Sequence, residues 1–302
     1  MAQDRPLLGI LLMLGFCIMA PIGDAIAKVL GESLAIGQLV AIRFGVQAAV
    51  LVPLVLLTGG TLVMSRRAMG LTLLRTILHI LGLFGMFTAL RYLPLADAVA
   101  IAFVMPFILL LLGWAILGES VGPHRLGAAA VGFVGTLLVL QPNLREAGAV
   151  ALLPLGVALV FALFMLATRA VAREVGPVPL QAMSGAMASV ILVPLALIFA
   201  GPEGLFAWSA PDAATWGLIA ALGLTGTLAH LVMTASLRFA PAATLAPMQY
   251  LEIPFATFIG WLVFTDLPGP MATAGIALTI AAGLYVIARE RRAARPAPPP
   301  AP

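Results

Sequence analysis

The feature that most constrains this chain is a succession of apolar runs, each about twenty residues long, with almost no charge inside them. A run of that length crosses the hydrocarbon core of a bilayer as an α-helix, rising about 1.5 Å per residue. Charged residues make up 9% of the sequence and hydrophobic ones 62%, against roughly 25% charged in an ordinary soluble domain. A soluble fold has nowhere to hide so much apolar surface, so the expected solvent is lipid. About ten spans take roughly 200 residues, which leaves short connections and no separate soluble domain. The expected class is an all-α polytopic membrane protein.

Bounded by charge, Pro and Gly, the runs predict helices near 7–29, 36–58, 71–91, 95–117 and 125–141. A second set follows near 149–172, 180–200, 214–237, 242–264 and 271–288. The run from Leu7 continues through Ile22 with no small-x-small cleavage site, so the first segment is expected to stay as a helix and not to be removed as a signal peptide.

The two sets repeat each other at a constant offset of 147. Leu90-Arg91-Tyr92-Leu93-Pro94 lies over Leu237-Arg238-Phe239-Ala240-Pro241, Trp114 over Trp261, Glu119 over Asp266 and Pro123 over Pro270. Five helices per copy is an odd number, so the second copy enters the membrane from the opposite side. That is the plan of inverted-topology repeats, recurrent among secondary transporters. The expected units are a first repeat over 1–146, a second over 147–288 and a tail over 289–302.

Charge bias gives an orientation. With a cytoplasmic N-terminus, the inside segments collect Arg5, Arg66, Arg67, Arg75, Arg125, Arg169, Arg173, Arg238, Arg289, Arg291, Arg292 and Arg295, and the outside only Lys28, Arg91 and Arg145. Arg43 falls within helix 2. The positive-inside rule then puts both termini in the cytoplasm. The tail from Arg289 reads RERRAARPAPPPAP, basic and then proline-rich, and is expected to be a disordered end with an interfacial anchor.

Composition also excludes. The sole cysteine, Cys17, rules out an internal disulfide framework or a multi-thiolate metal site, and is expected to face lipid or to pack. No Walker loop, H-E-x-x-H or nucleophile elbow occurs, so no catalytic residue, metal or cofactor is expected. The formal charge of +4 is explained by loop arginines that set topology, so no nucleic-acid partner is expected. The expected partners are a small solute and the bilayer, for a monomer or homodimer in a bacterial inner membrane.

An ionisable group within a span is costly, so each is a functional candidate. Glu252 lies about ten residues into the predicted ninth helix, roughly 15 Å deep, as the one carboxylate expected near the bilayer centre. Gln249 precedes it by three positions on the same helical face, Tyr250 is adjacent, and Pro247 and Pro254 flank the set. His79 and His230 sit on repeat-equivalent helices about eight residues from the cytoplasmic end, roughly 12 Å deep. Both are expected to face one central cavity, as solute ligands or proton relays, with inter-helix hydrogen bonding as the structural alternative. Thr227 and Thr234 extend the face of His230, and Gly82 and Met86 that of His79. Asp24 and Lys28, four apart near the outer end of helix 1, suit a self-neutralising pair, or an extracellular gate together with Arg43 and Gln47 of helix 2. Asp97, Arg91, Glu119 and Asp266 read as boundary charges, and Trp114 and Trp261 as an interfacial aromatic belt.

With these residues in view the chain resembles the drug/metabolite transporter superfamily, specifically ten-helix exporters with two EamA-type repeats. The resemblance is carried by ALRYLPLADAVAIAFVMPFILLLLGWAILGESVGPHRLGAAAVGFVGTLLVL and SLRFAPAATLAPMQYLEIPFATFIGWLVFTDLPGPMATAGIALTIAAGLYVI. In each, a helix with an internal proline ends at an acidic residue: Pro106 with Glu119, and Pro254 with Asp266. The second copy departs in having Asp for Glu and fewer glycines afterwards. The resemblance implies a central cavity among helices 1, 3, 4, 6, 8 and 9, and export of amino acids, aromatic or neutral, or related metabolites by alternating access. Some related proteins take up S-adenosylmethionine or riboflavin, so import of a nucleoside-like or vitamin-like metabolite is the alternative. A low aromatic content, 7%, weighs against that alternative. A membrane scaffold without transport is the third reading, and a buried Glu252 is of no use to it. Glu252 is further expected to carry a coupling proton as the cavity alternates.

Overall fold

A computed structural model describes residues 6–117, 123–172, 174–199, 201, 203–239, 245 and 249–293. It is 84% helical, with no strand among the described residues. The helices are α1 (Pro6–Gly31), α2 (Ile36–Leu57), α3 (Arg66–Leu90), α4 (Leu95–Ala102), α5 (Met105–Leu117), α6 (Pro123–Ala147), α7 (Leu153–Ala172), α8 (Pro177–Ile198), α9 (Ala213–Phe239), α10 (Glu252–Phe264) and α11 (Pro270–Ala293). A 3₁₀ turn, Gly148–Leu152, joins α6 to α7. Arg5, Glu119, Arg173, Pro241, Pro247 and the end of the tail lie outside the described residues, as do the side chains of Trp114, Arg125 and Arg291.

Among the described residues six stretches are long and apolar enough to cross a membrane: Leu7–Gly31, Ile36–Leu57, Arg66–Leu90, Leu126–Ala172, Pro177–Ile198 and Ala213–Phe239. Shorter apolar helices cover Leu95–Leu109, Glu252–Phe264 and Pro270–Tyr285. Among the described residues length alone thus yields fewer than the expected ten. Leu126–Ala172 contains two helices run together through the 3₁₀ turn, and the predicted spans 95–117 and 242–264 are not continuous helices.

Proline explains where the first of these is cut. Pro106 has no N–H, and its ring collides with the carbonyl four residues back, at Ala102, which is the last residue of α4. The Phe103 N–H completes the last turn of α4 on Val99 O and Ala100 O, at 3.1 and 3.2 Å. Pro254 acts in the same way on Tyr250, which lies in a turn directly before α10. Adding 147 to the bounds of α5 gives 252 and 264, the bounds of α10, and adding it to Pro123 gives 270, the start of α11. Pro123 and Pro270 are both first helical residues, where a missing N–H costs nothing. Ser65 caps α3 by accepting from the Ala68 N–H at 3.1 Å.

The broadest packing pairs are α1 with α9, α3 with α7, α2 with α8 and α6 with α11. Exchanging the two halves of the chain swaps the first two pairs and returns the last two to themselves, as a two-fold relation between halves requires. Small residues let the backbones close: a β-carbon on Gly135 of α6 would sit 2.8 Å from Gly275 O, and one on Gly275 of α11 would sit 2.5 Å from Gly135 O. Gly275→Val is therefore expected to lower stability by about 1–3 kcal/mol through overpacking. The midpoint of thermal unfolding in detergent reads this directly, and an unchanged midpoint would show that the crossing loosens without cost.

Apolar side chains cover the outside as well as the inside. Leu7, Leu11, Leu57, Trp261 and Leu262 are exposed, which suits a lipid-facing surface. Cys17 is buried in the core beside Phe16, so of the two sequence expectations it follows the packing one.

Candidate functional site

α1, α3, α7, α9 and the residues around both helix breaks enclose a cavity of about 110 Å³. These elements correspond to predicted helices 1, 3, 4, 6, 8 and 9. Most of the wall is apolar, and Phe16, Phe103 and Phe161 give it aromatic faces. The polar groups are few: Asp24, His79, His230, Gln249 and Glu252.

The two histidines meet. Their rings stack with centroids 4.2 Å apart at 28°. His79 is wedged between Phe44 and Phe164, at 5.0 and 4.9 Å, and neither of its buried ring nitrogens has a partner. His230 Nδ1 lies 3.1 Å from both Arg43 Nη2 and Gly226 O, so the tautomer decides which of the two it bonds. α3 starts at Arg66 instead of 71, which sets His79 thirteen residues in, roughly 20 Å from that end.

Glu252 is not in mid-helix as expected but is the first residue of α10, directly after the break. It shares the cavity with Gln249, whose Oε1 is buried without a partner and whose Nε2 lies 3.6 Å from Met165 Sδ. Nor is it the one carboxylate there, since Asp24 lines the same cavity and interacts electrostatically with Glu252 and with Arg43. Tyr250 departs from the expectation altogether. The turn points it away from the cavity to pack against Phe103 and Phe107, at 5.6 and 6.3 Å, and against Gly283 of α11.

The expected Asp24–Lys28 pair does not form. Lys28 Nζ donates to Leu93 O at 2.6 Å, lies 3.9 Å from Asp266 Oδ2 and sits 5.1 Å from the Phe264 ring centre. Its long stem reaches past its own helix to the α3–α4 turn and the end of α10, while Asp24 turns into the cavity. Arg43 is buried against α9, and Gln47 donates to Gln181 O at 2.7 Å. Asp97 is buried rather than a boundary charge, accepting from Asn143 Nδ2 at 2.8 Å. Asp266 is partly exposed in its bond to Lys28, and Arg91 donates to Leu34 O.

Arg75, counted with the cytoplasmic-side charges, is wholly buried. Its Nε donates to Thr168 Oγ1 at 3.0 Å and its Nη1 to Ser184 Oγ at 2.5 Å, and the guanidinium lies 4.7 Å from the Phe164 ring. The signal was available, because Arg75 is four positions before His79 and so on the same helical face. The predicted start at 71 hid it, making a residue nine positions into α3 look terminal. The aromatic walls were missed too, since no spacing rule joins Phe16, Phe103 and Phe161 across three segments.

The model of the EamA-like transporter family matches this chain twice, over residues 7–141 and 148–289. The chain belongs to that family. It is a membrane-spanning transporter of the drug/metabolite type. Among relatives of this EamA-like transporter, a riboflavin transporter of Brucella anthropi is 30% identical over 252 residues, covering 83% of this chain and 87% of the relative. An S-adenosylmethionine uptake transporter of Rickettsia prowazekii is 23% identical, covering 91% and 90%. A riboflavin transporter of Vibrio cholerae is also 23% identical, covering 84% and 83%. A solved crystal structure 18% identical in sequence superposes with a TM-score of 0.67 over 95% of this chain and 99% of the other, which establishes the shared fold.

Proposed function

We propose that this EamA-like transporter takes up a heteroaromatic metabolite of flavin or nucleoside type by alternating access. The observation that carries the reading is the cavity itself: Phe16, Phe103 and Phe161 offer faces for a planar ring, and Gln249, Glu252, Asp24 and the histidine pair offer hydrogen bonds at its edges. The low aromatic content that weighed against import is offset by where the rings are, around one space. The names of the relatives, riboflavin and S-adenosylmethionine uptake transporters, favour the same class. The expectation of amino-acid export gives way to it.

The broken helices support an architecture of ten spans in two inverted five-helix repeats, over 1–146 and 147–288, with both termini in the cytoplasm. Discontinuous helices at corresponding positions of two halves are a pointer to transporter sites. In this reading His79, His230, Gln249 and Glu252 hold the solute, Asp24 and Glu252 exchange protons, and Lys28 with Asp266 latches the outer end. Tyr250 has no solute-binding role.

Proteoliposomes holding the purified chain should accumulate radiolabelled riboflavin or S-adenosylmethionine above empty vesicles, with aromatic amino acids at background. Flux of amino acids alone would sink the uptake reading. A second check is rescue: expression of the chain should let a riboflavin auxotroph grow on low external riboflavin. Phe103→Ala and Phe161→Ala are each expected to raise the half-saturating concentration about fivefold to tenfold or more, as a lost stacking face is worth roughly 1–3 kcal/mol.

A further inference from the structure

We propose that Arg75, with Ser184 and Thr168, forms an anion-binding site behind the histidine pair, and that the transported solute carries a carboxylate or phosphate group that docks there. The inference rests on reading the cavity as a transport site, and it narrows the solute to a heteroaromatic one that bears a carboxylate or phosphate, as S-adenosylmethionine does and riboflavin does not.

Arg75 is fully buried in the helical bundle, and a guanidinium stays protonated in proteins. Among the described residues no carboxylate lies within 4.0 Å of it, and its two bonded nitrogens meet only neutral hydroxyls, Thr168 Oγ1 and Ser184 Oγ. Its remaining nitrogen, Nη2, is buried with no partner. A cation inside a membrane protein normally pairs with another charged group or with backbone carbonyls, and here a donor is left open instead. Thr76 adds a hydroxyl, bonding Ser184 Oγ at 3.0 Å. The Thr168 and Thr76 hydroxyls donate to Phe164 O and Thr72 O of their own helices, both at 2.7 Å, so the open donor is the guanidinium, whose planar fork matches a carboxylate or phosphate.

Arg43 Nη1 is also buried and unpartnered, and both arginines interact electrostatically with both histidines. Arg43 also interacts electrostatically with Asp24, which lines the cavity with Glu252, whereas Arg75 has no such carboxylate partner. His79 and Phe164 separate the cavity from Arg75 in this conformation, so an anionic group reaches Nη2 when those rings move aside. A purely structural Arg75 would account for its two hydroxyl bonds but not for the open third donor.

The test is a binding titration on the purified full-length protein in detergent, followed by intrinsic tryptophan fluorescence. Sodium phosphate, sodium acetate and sodium chloride are added at matched sodium concentration, so that general ionic effects are common to all three. The expected result is saturation by phosphate or acetate at a concentration at least about tenfold below that of chloride. Arg75→Gln should raise that midpoint at least about tenfold, Arg75→Lys should raise it less, and Ser184→Ala should raise it severalfold. Preference for phosphate assigns a phosphorylated solute and preference for acetate a carboxylate. No saturation, equal saturation by chloride, or an unchanged midpoint in Arg75→Gln overturns the site. If Arg75→Gln does not fold, unchanged midpoints in both Ser184→Ala and Thr168→Val overturn it instead. Anion binding without flavin or S-adenosylmethionine flux would leave the site standing and sink the uptake reading, so the two failures are distinguishable.

Discussion

Replacing Glu252 with Gln is expected to abolish the response of solute accumulation to an imposed pH gradient while leaving solute exchange intact. Glu252 opens α10 at the helix break and faces the cavity together with Asp24. A carboxyl that meets the solution on one side of the membrane and then the other can take up a proton and release it, once per cycle. Gln keeps the shape and hydrogen bonds of the protonated acid but cannot titrate. A one-unit pH gradient coupled to one proton sustains up to about a tenfold concentration ratio. The variant should fall to a ratio of about one, with counterflow of labelled against unlabelled solute preserved. Gradient-driven accumulation equal to that of the parent chain would reduce Glu252 to a ligand, and Asp24→Asn would then be the variant to examine. Loss of the protein from the membrane would make Glu252 structural.

The largest expected loss of stability comes from Asn143→Leu. Asn143 Nδ2 donates to Asp97 Oδ2 at 2.8 Å where α6 meets α4, and Asp97 Oδ1 is already buried without a partner. Removing the amide leaves the whole carboxyl without a side-chain hydrogen bond at that contact. A hydrogen bond to a charged group is worth about 1.5–3 kcal/mol, and the variant should lose about that much in thermal or denaturant unfolding in detergent. The double replacement Asp97→Leu with Asn143→Leu removes both polar groups and should recover most of the loss, because an apolar pair can replace a buried polar one at little cost. If the double variant is as unstable as the single one, the contact matters for its shape and not for its polarity.

Much of the architecture was legible because it depends on local rules. Pro106 lies four residues after the end of α4, and Pro123 and Pro270 open α6 and α11. A proline acts on its own neighbours and leaves its mark wherever the chain goes. The 147-residue offset carries through to helix bounds for the same reason. The meeting of His79 and His230 was also foreseeable, since repeat-equivalent positions on crossing helices come to one place.

Side-chain partnerships were not legible in the same way. Gln249, Tyr250 and Glu252 are expected as one solute-binding set, but Gln249 and Glu252 reach the cavity while the turn between them packs the phenol against Phe103. Lys28 was matched with Asp24 by their spacing of four. Its stem instead reaches Leu93 and Asp266, which are 65 and 238 residues away in sequence and beside it in space. Arg75 is counted with the inside charges because the predicted start at 71 puts it in the first turn, whereas α3 starts at Arg66. Composition, period and proline positions by themselves determined a lipid-embedded helical chain, its repeat and its breaks, since each follows from short-range sterics and the cost of bare charge in hydrocarbon. Only the tertiary structure decided which charges share a cavity and which are left without a partner, because that depends on how helices distant in sequence cross and on where long side chains find room.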